Sequence, residues 1–189
     1  MARGFWETLE TATGDGSTLT AAAAASALPS QAKFTLRPNY FNSIGKQLLI
    51  KAAGRISSVI TTPGTARFDV RLGGTVVFDG LAVLLDTVAA HTTVGWKLEI
   101  WLTARAIGST GNLMGVGTWT CEDILGVPAT APKGVLTAIL PWNTAPAVGS
   151  NFDTTASQQV DLFFTQTVAT GSMTLHQFSL IDPTSNGGN

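Results

Sequence analysis

Charge is what this sequence lacks most. Only 12% of its 189 residues are Asp, Glu, Lys or Arg, about half of the roughly 25% usual in a soluble domain. The 11 basic and 12 acidic side chains nearly cancel, leaving a formal charge of −1, and no basic run occurs anywhere. A chain that binds duplex nucleic acid needs a basic patch to displace phosphate counterions, so no direct nucleic-acid partner is expected. A single cysteine, Cys121, rules out an intramolecular disulfide. The fold must hold by packing, which suits synthesis in a reducing cytoplasm. In the segment Gly117-Thr118-Trp119-Thr120-Cys121 the thiol reads as a small buried apolar group.

Long apolar runs are missing too. The nearest candidate, Leu81 to Leu85, stops at Asp86, far short of the roughly eighteen residues a membrane span needs. The start Met1-Ala2-Arg3-Gly4-Phe5-Trp6-Glu7 has no apolar core after the arginine, and acids arrive at Glu7 and Glu10; no signal peptide is expected. These features predict a soluble chain with no membrane partner. His91 and His176 are the only histidines, and neither has a Cys, His or carboxylate at ligand spacing. The carboxylates are dispersed. A glycosidase-type pair brought together over long range and a loop Ca²⁺ site through Asp15 or Asp153 stay open, though no EF-hand-like series supports the latter. Asp69, Asp79, Asp86 and Glu99 read as polar-face or turn residues. Gly115-Val116-Gly117 continues into strand-like sequence, which a dinucleotide fingerprint does not do. No Gly-x-Ser-x-Gly elbow is present. No enzyme activity, cofactor or metal is expected.

What is there is alternation. From about residue 32 the apolar residues recur at every second position, the mark of half-buried strands. Gln47 to Ile60 puts Leu48, Ile50, Ala52, Ile56 and Ile60 on one face, with Gly54 predicting a bulge or bend. Thr65 to Leu72 sets Phe68, Val70 and Leu72 against Arg67, Asp69 and Arg71. Gly73-Gly74 predicts a hairpin turn returning through Thr75 to Phe78. Val94 to Ile107 carries Trp96, Leu98, Ile100, Leu102, Ala104 and Ala106 on its apolar face. Asn112 to Thr120, Gln159 to Val168 and Met173 to Ile181 complete the set. The segments 121–134 and 141–152 read as irregular.

Eight or nine strands without an amphipathic helix predict an all-β fold, an antiparallel β-sandwich. Long connections at 79–93 and 121–158 suit strands crossing between two sheets, as in a jelly roll; a closed barrel is the alternative. Residues 1–31 differ, with a Gly/Ser/Thr-rich stretch and the run Ala21 to Ala25. They read as an extended N-terminal arm, residues 32–181 as the sandwich, and residues 182–189 as a flexible tail.

Five aromatic residues stand out as candidates for a protein interface. Phe5 and Trp6 lie on the arm and should dock on a partner or on the domain itself. Trp101 and Phe163 face outward on their strands, and Trp142 sits in a loop. Outward aromatics on a weakly charged sheet suit contact with another subunit, or cover by the chain's own loops. Such a surface loses little entropy and hydration when another protein covers it. A stable extracellular β-protein with a Thr/Ser-rich surface is the blander alternative.

Several phrases point further. Tyr40-Phe41-Asn42-Ser43-Ile44-Gly45-Lys46-Gln47-Leu48-Leu49-Ile50-Lys51-Ala52-Ala53-Gly54-Arg55-Ile56-Ser57, Phe68-Asp69-Val70-Arg71-Leu72-Gly73, Leu98-Glu99-Ile100, and Val160-Asp161-Leu162-Phe163 followed by Leu175-His176-Gln177 together resemble small structural proteins of tailed bacteriophages and prophages. These are described as virion or capsid-associated proteins. The resemblance spans most of residues 34–181 and brings no catalytic residues. It implies a sandwich subunit, favoured as a homotrimer, made in the host cytoplasm. Such a subunit decorates or cements a capsid, with the major capsid protein and other virion proteins as partners, or sits on the tail. The different-class alternatives are a receptor- or carbohydrate-binding module on a tail or spike, using an exposed aromatic such as Trp142, and a hydrolase on a jelly-roll scaffold.

Overall fold

The alternating segments become strands because each buries one face against the other sheet and leaves the second face outward. The computed structural model describes residues 5–124 and 137–185. Within them run twelve strands: β1 (Phe5–Thr11), β2 (Ala24–Ser26), β3 (Thr35–Leu36), β4 (Gln47–Ser58), β5 (Thr65–Leu72), β6 (Thr75–Asp79), β7 (Val83–Leu84), β8 (His91–Ala106), β9 (Asn112–Cys121), β10 (Thr137–Leu140), β11 (Gln158–Gln166) and β12 (Ser172–Ser185). The first sheet has the order β1-β12-β4-β8-β9-β10. The second has the order β2-β11-β5-β6, with β3 added to β11 and β7 to β5. Every pairing is antiparallel. The chain crosses from the first sheet to the second after β1 and back before β4, over again after β4 and back before β8, and once more after β10 and back at β12. This is the crossing sandwich that the long connections predict.

The core lies between the sheets. Its centre is aromatic: Phe68 of β5 lies 5.0 Å from Trp96 of β8, 5.2 Å from Trp119 of β9 and 5.2 Å from Phe164 of β11, ring centre to ring centre. All four rings are buried, two from each sheet, so this cluster ties the layers together. Removing one such ring costs about 3–5 kcal/mol. Gly54 makes the packing possible. A Cβ there would lie 2.0 Å from the carbonyl oxygen of Thr174 and 2.8 Å from the Trp96 ring. The irregularity expected at Gly54 is a bulge in its pairing with β12, where the extra residue lies on β12 between Leu175 and Gln177, opposite Gly54 and Ala53; towards β8 Gly54 pairs in register with Trp96. At the Gly73-Gly74 turn both residues have positive φ, 56° and 95°, as the hairpin requires.

Several boundaries differ from the sequence expectation. The segment expected to be an arm is extended, but it adds to its own chain. β1 pairs with β12 and β2 with β11, while Ala27 and Leu28 enter the core. Edge strands such as these are held by backbone hydrogen bonds, which no side-chain period announces. At the other terminus the strand does not stop at Ile181 but runs to Ser185. Asp182 is buried and ion-paired with Lys46, whose ammonium also lies 4.9 Å from the centre of the Tyr40 ring. Burial opposes ionisation of Asp182, but hydrogen bonds from Lys46 and Thr184 outweigh it and hold the carboxyl below its usual range. Residues 186–189 of the expected tail lie outside the described residues, as do 125–136 of the expected irregular segment. β10 follows directly at 137–140, a strand that the sequence pattern does not announce. Ile60 is exposed, not inward, because β4 ends at Ser58.

Candidate functional site

The register of the first sheet brings together outward-facing residues that are far apart in the chain. Val116 of β9 pairs with Trp101 of β8, Trp101 with Leu49 of β4, and Leu49 with Ile181 of β12. This makes an apolar row across four strands. Trp6 of β1 packs edge-on against Trp101, centroids 5.9 Å apart, and stays 59% exposed. The next row is polar: Thr118, Glu99, Lys51 and Ser179. Glu99 holds the corner between the rows, accepting from Trp101 Nε1 at 2.7 Å and pairing with Lys51 Nζ at 3.4 Å. Lys51 in turn lies 5.8 Å from the Trp6 ring centre. The third row is Thr120, Lys97, Ala53 and Gln177.

Ala53 is short and its neighbours are long, so the middle of this face sinks into an open trough of about 540 Å³. Its walls include Lys51, Lys97, Glu99, Thr118, Thr120 and Gln177. Beyond the apolar row, at the end where β8 finishes, Ile44 and Ile107 are exposed beside the backbone hydrogen bond from Gly45 N to Ala104 O. Val148 bridges to Met114 there. Ile139 projects from the edge strand β10. Six of the nine exposed large apolar residues among the described residues thus lie on this face or at this end.

The outer face of the second sheet is built differently. Asp69, expected as an ordinary polar-face residue, points outward yet is fully buried. Arg67 and Arg71, two positions away on either side, close over it: Arg71 Nε lies 2.7 Å and an Arg67 terminal nitrogen 3.6 Å from its oxygens. Arg67 also reaches Asp79 at 3.2 Å. Lys33 and Ser26 bind the two oxygens of Asp161 at 2.8 and 2.6 Å. The Arg71 guanidinium sits 3.6 Å above the centre of the Phe163 ring. The charges of this face are paired with one another, although Asp69 Oδ2 and Arg67 Nε are buried without a hydrogen-bond partner.

The five aromatic candidates therefore do not form one surface. Trp6 and Trp101 touch on the first sheet, while Phe163 lies on the outside of the second, under Arg71. Trp142 is half-buried and packs against the core, so its loop position does not leave it free. Phe5 pairs with Ser185 at the start of β1. Pattern reading missed Ala53, Lys97, Gln177 and Val116, because cross-strand register assembles them and a single strand shows only their alternation.

The remaining titratable groups are engaged locally. Each histidine has a carboxylate that its sequence neighbourhood did not suggest: His91 Nε2 lies 3.0 Å from Asp86, and His176 Nδ1 lies 2.8 Å from Asp15. Asp153 accepts from the Thr155 amide and hydroxyl at 2.8 and 2.6 Å. Burial pushes the Cys121 thiol up to about 12, which leaves it protonated and a poor nucleophile. Burial likewise raises Asp123, although Ser58 Oγ donates to it at 2.6 Å. Among the described residues no group of three or more His, Cys, Asp or Glu could hold a metal ion. None of their helices is long and apolar enough to cross a membrane.

Fold and site together define the class: an antiparallel β-sandwich whose two outer faces differ, one closed by its own ion pairs and one carrying an open trough beside exposed apolar residues. No protein-family model matches the chain, and no curated protein sequence matches it. Among solved structures it is similar to the CBM2 module of the Lactobacillus casei BL23 phage J-1 evolved Dit, at 9% identity and a TM-score of 0.35, over 82% of this chain and 69% of that one. A likeness this distant carries no inference about function.

Proposed function

We propose that this chain is a structural subunit of a tailed-phage virion that works by packing against copies of itself and other virion proteins. The favoured role is decorating or cementing the capsid. The observation that carries this reading is the gathering of Trp6, Ile44, Ile107, Val116, Ile139 and Val148 on one face and end of the first sheet. A monomer rarely gathers most of its exposed large apolar residues on one side without a partner for them. The low overall charge lowers the desolvation cost of covering that patch. The resemblance of residues 34–181 to virion proteins supplies the setting. Such a subunit stabilises a shell by binding the assembled lattice more tightly than free subunits. Quantitative mass spectrometry of purified particles carrying this chain, paired with sedimentation of the isolated protein, tests it. A lattice-related copy number and a homo-oligomer, trimer favoured, are expected. Absence from particles, or a strict monomer that ignores every particle component, overturns it.

A second reading, a tail- or spike-associated module that binds a carbohydrate, is favoured by the trough lined by Lys51, Lys97, Thr118, Thr120 and Gln177, with the exposed Trp6 beside Lys51.

A further inference from the structure

We infer that the trough on the outer face of the first sheet binds an acidic oligosaccharide; this rests on the second reading above, under which Trp6 stays open instead of meeting a neighbouring subunit, and assigns that reading a ligand class and residues. The trough lies in mid-sheet. The backbones of β4 and β8 are hydrogen-bonded to neighbours on both sides, so no edge is open for an extended peptide to add as a strand. Its walls offer a different chemistry. The Thr118 and Thr120 hydroxyls and the Gln177 amide both donate and accept, which suits a ligand covered in hydroxyl groups. Outside the lining itself, against the wall residue Lys51, stands the exposed Trp6, which also packs on Trp101. An indole offers a broad apolar plane with a polar rim, a shape that fits the CH face of a sugar ring.

The charge of the ligand follows from what is left over. Glu99 is the one carboxylate lining the trough, and Lys51 and Trp101 already occupy it. Lys97 stands exposed one row further on. Arg55, also exposed, is its diagonal neighbour: Lys97 pairs with Ala53, and Arg55 with Gly95. Neither cation has an ion-pair partner among the described residues. Two free cations beside neutral hydroxyls and an amide favour a carboxylate or phosphate on the sugar. From Trp101 to Lys97 is four residues of β8, about 13 Å at roughly 3.3 Å per residue, longer than one ring. The ligand is therefore an oligomer, with a ring on Trp6 and an acidic group at Lys97 and Arg55. A duplex nucleic acid fits poorly, since two free cations displace few counterions.

The test uses the full chain in calorimetric titration with two matched pairs: trigalacturonate against its methyl ester, and sialyllactose against lactose. At least one acidic member should bind about tenfold more tightly than its neutral counterpart at low salt. Added salt should erode that advantage. Lys97→Gln and Arg55→Gln should each remove most of it, and Trp6→Ala should weaken acidic and neutral members alike. Equal binding within each pair, untouched by Lys97→Gln, overturns the acidic assignment and leaves the carbohydrate reading standing. No binding of any of the four overturns both.

Discussion

The outer faces of the two sheets make an instructive pair. Both are pleated surfaces of a single sandwich, and both carry aromatic residues and charges. On the second sheet Asp69 is closed between Arg67 and Arg71, Asp161 is held by Lys33 and Ser26, and Phe163 lies beneath a guanidinium. Its charged groups are paired within the subunit. On the first sheet the charged Lys97 and Arg55 stand apart and Trp6 is more than half exposed. Its groups are positioned by neighbours but not covered by them. Outwardness in sequence does not distinguish a surface closed by its own ion pairs from one left open. What distinguishes them is whether neighbouring strands in register supply the complement.

The largest effect is expected at Asp69. Asp69→Ala leaves two guanidiniums facing each other over a buried hole and should cost about 3 kcal/mol in denaturant unfolding. Asp69→Asn should cost less, because it keeps an acceptor. A neutral result for Asp69→Ala would mean that the second face is not the self-satisfied surface described.

A smaller effect is expected inside the sandwich. Burial raises the Asp123 carboxyl despite its bond from Ser58. Its protonated form is thus the one the fold favours. Its contribution is fully present below the ordinary carboxylate range and is lost as pH rises through the elevated folded value. Thermal melting across pH should show Asp123→Asn losing part of that decline toward higher pH; an unchanged profile would remove Asp123 as its source.

On the first face the stability effects should be small and the association effects larger. Trp6→Ala should cost the isolated subunit about 1 kcal/mol at most, since the ring is 59% exposed and its contacts are an edge on Trp101 and the Lys51 ammonium. It should nevertheless weaken self-association in sedimentation velocity. Smallest of all, Lys51→Ala breaks a largely exposed pair with Glu99 and should change unfolding by less than about 1 kcal/mol. A larger loss would show that the corner between Trp101 and Lys51 is structural.

Much of the sandwich was legible because its central strands alternate. The apolar rows of β4, β5, β8, β9 and β11 and the Gly73-Gly74 turn stand out in the chain, and Trp96, Phe68 and Phe164 declare themselves as core. β1, β2 and β10 did not stand out, because Thr- and Ala-rich edge segments are recruited by backbone hydrogen bonding and not by a hydrophobic period. Gly54 was legible as special but not for its reason, which is the Trp96 ring and the Thr174 carbonyl against it. The candidate site was half legible. Trp6 and Trp101 were visible as outward aromatics, whereas Ala53, Lys97 and Gln177 are ordinary residues until β4, β8 and β12 lie side by side. Asp182 looked like the start of a loose end because nothing nearby in sequence pairs with it; Lys46, its partner, is 136 residues away.

The exposed apolar side of the first sheet is proposed as the surface by which this subunit meets its neighbours. Hydroxyl-radical footprinting, comparing the free chain with the chain in purified particles, addresses it most directly. Trp6, Val116 and Ile139 should be protected in the particle while Phe163 and its surroundings react as in the free chain. Protection of the Phe163 face instead, or no change at Trp6 and Val116, would contradict the account.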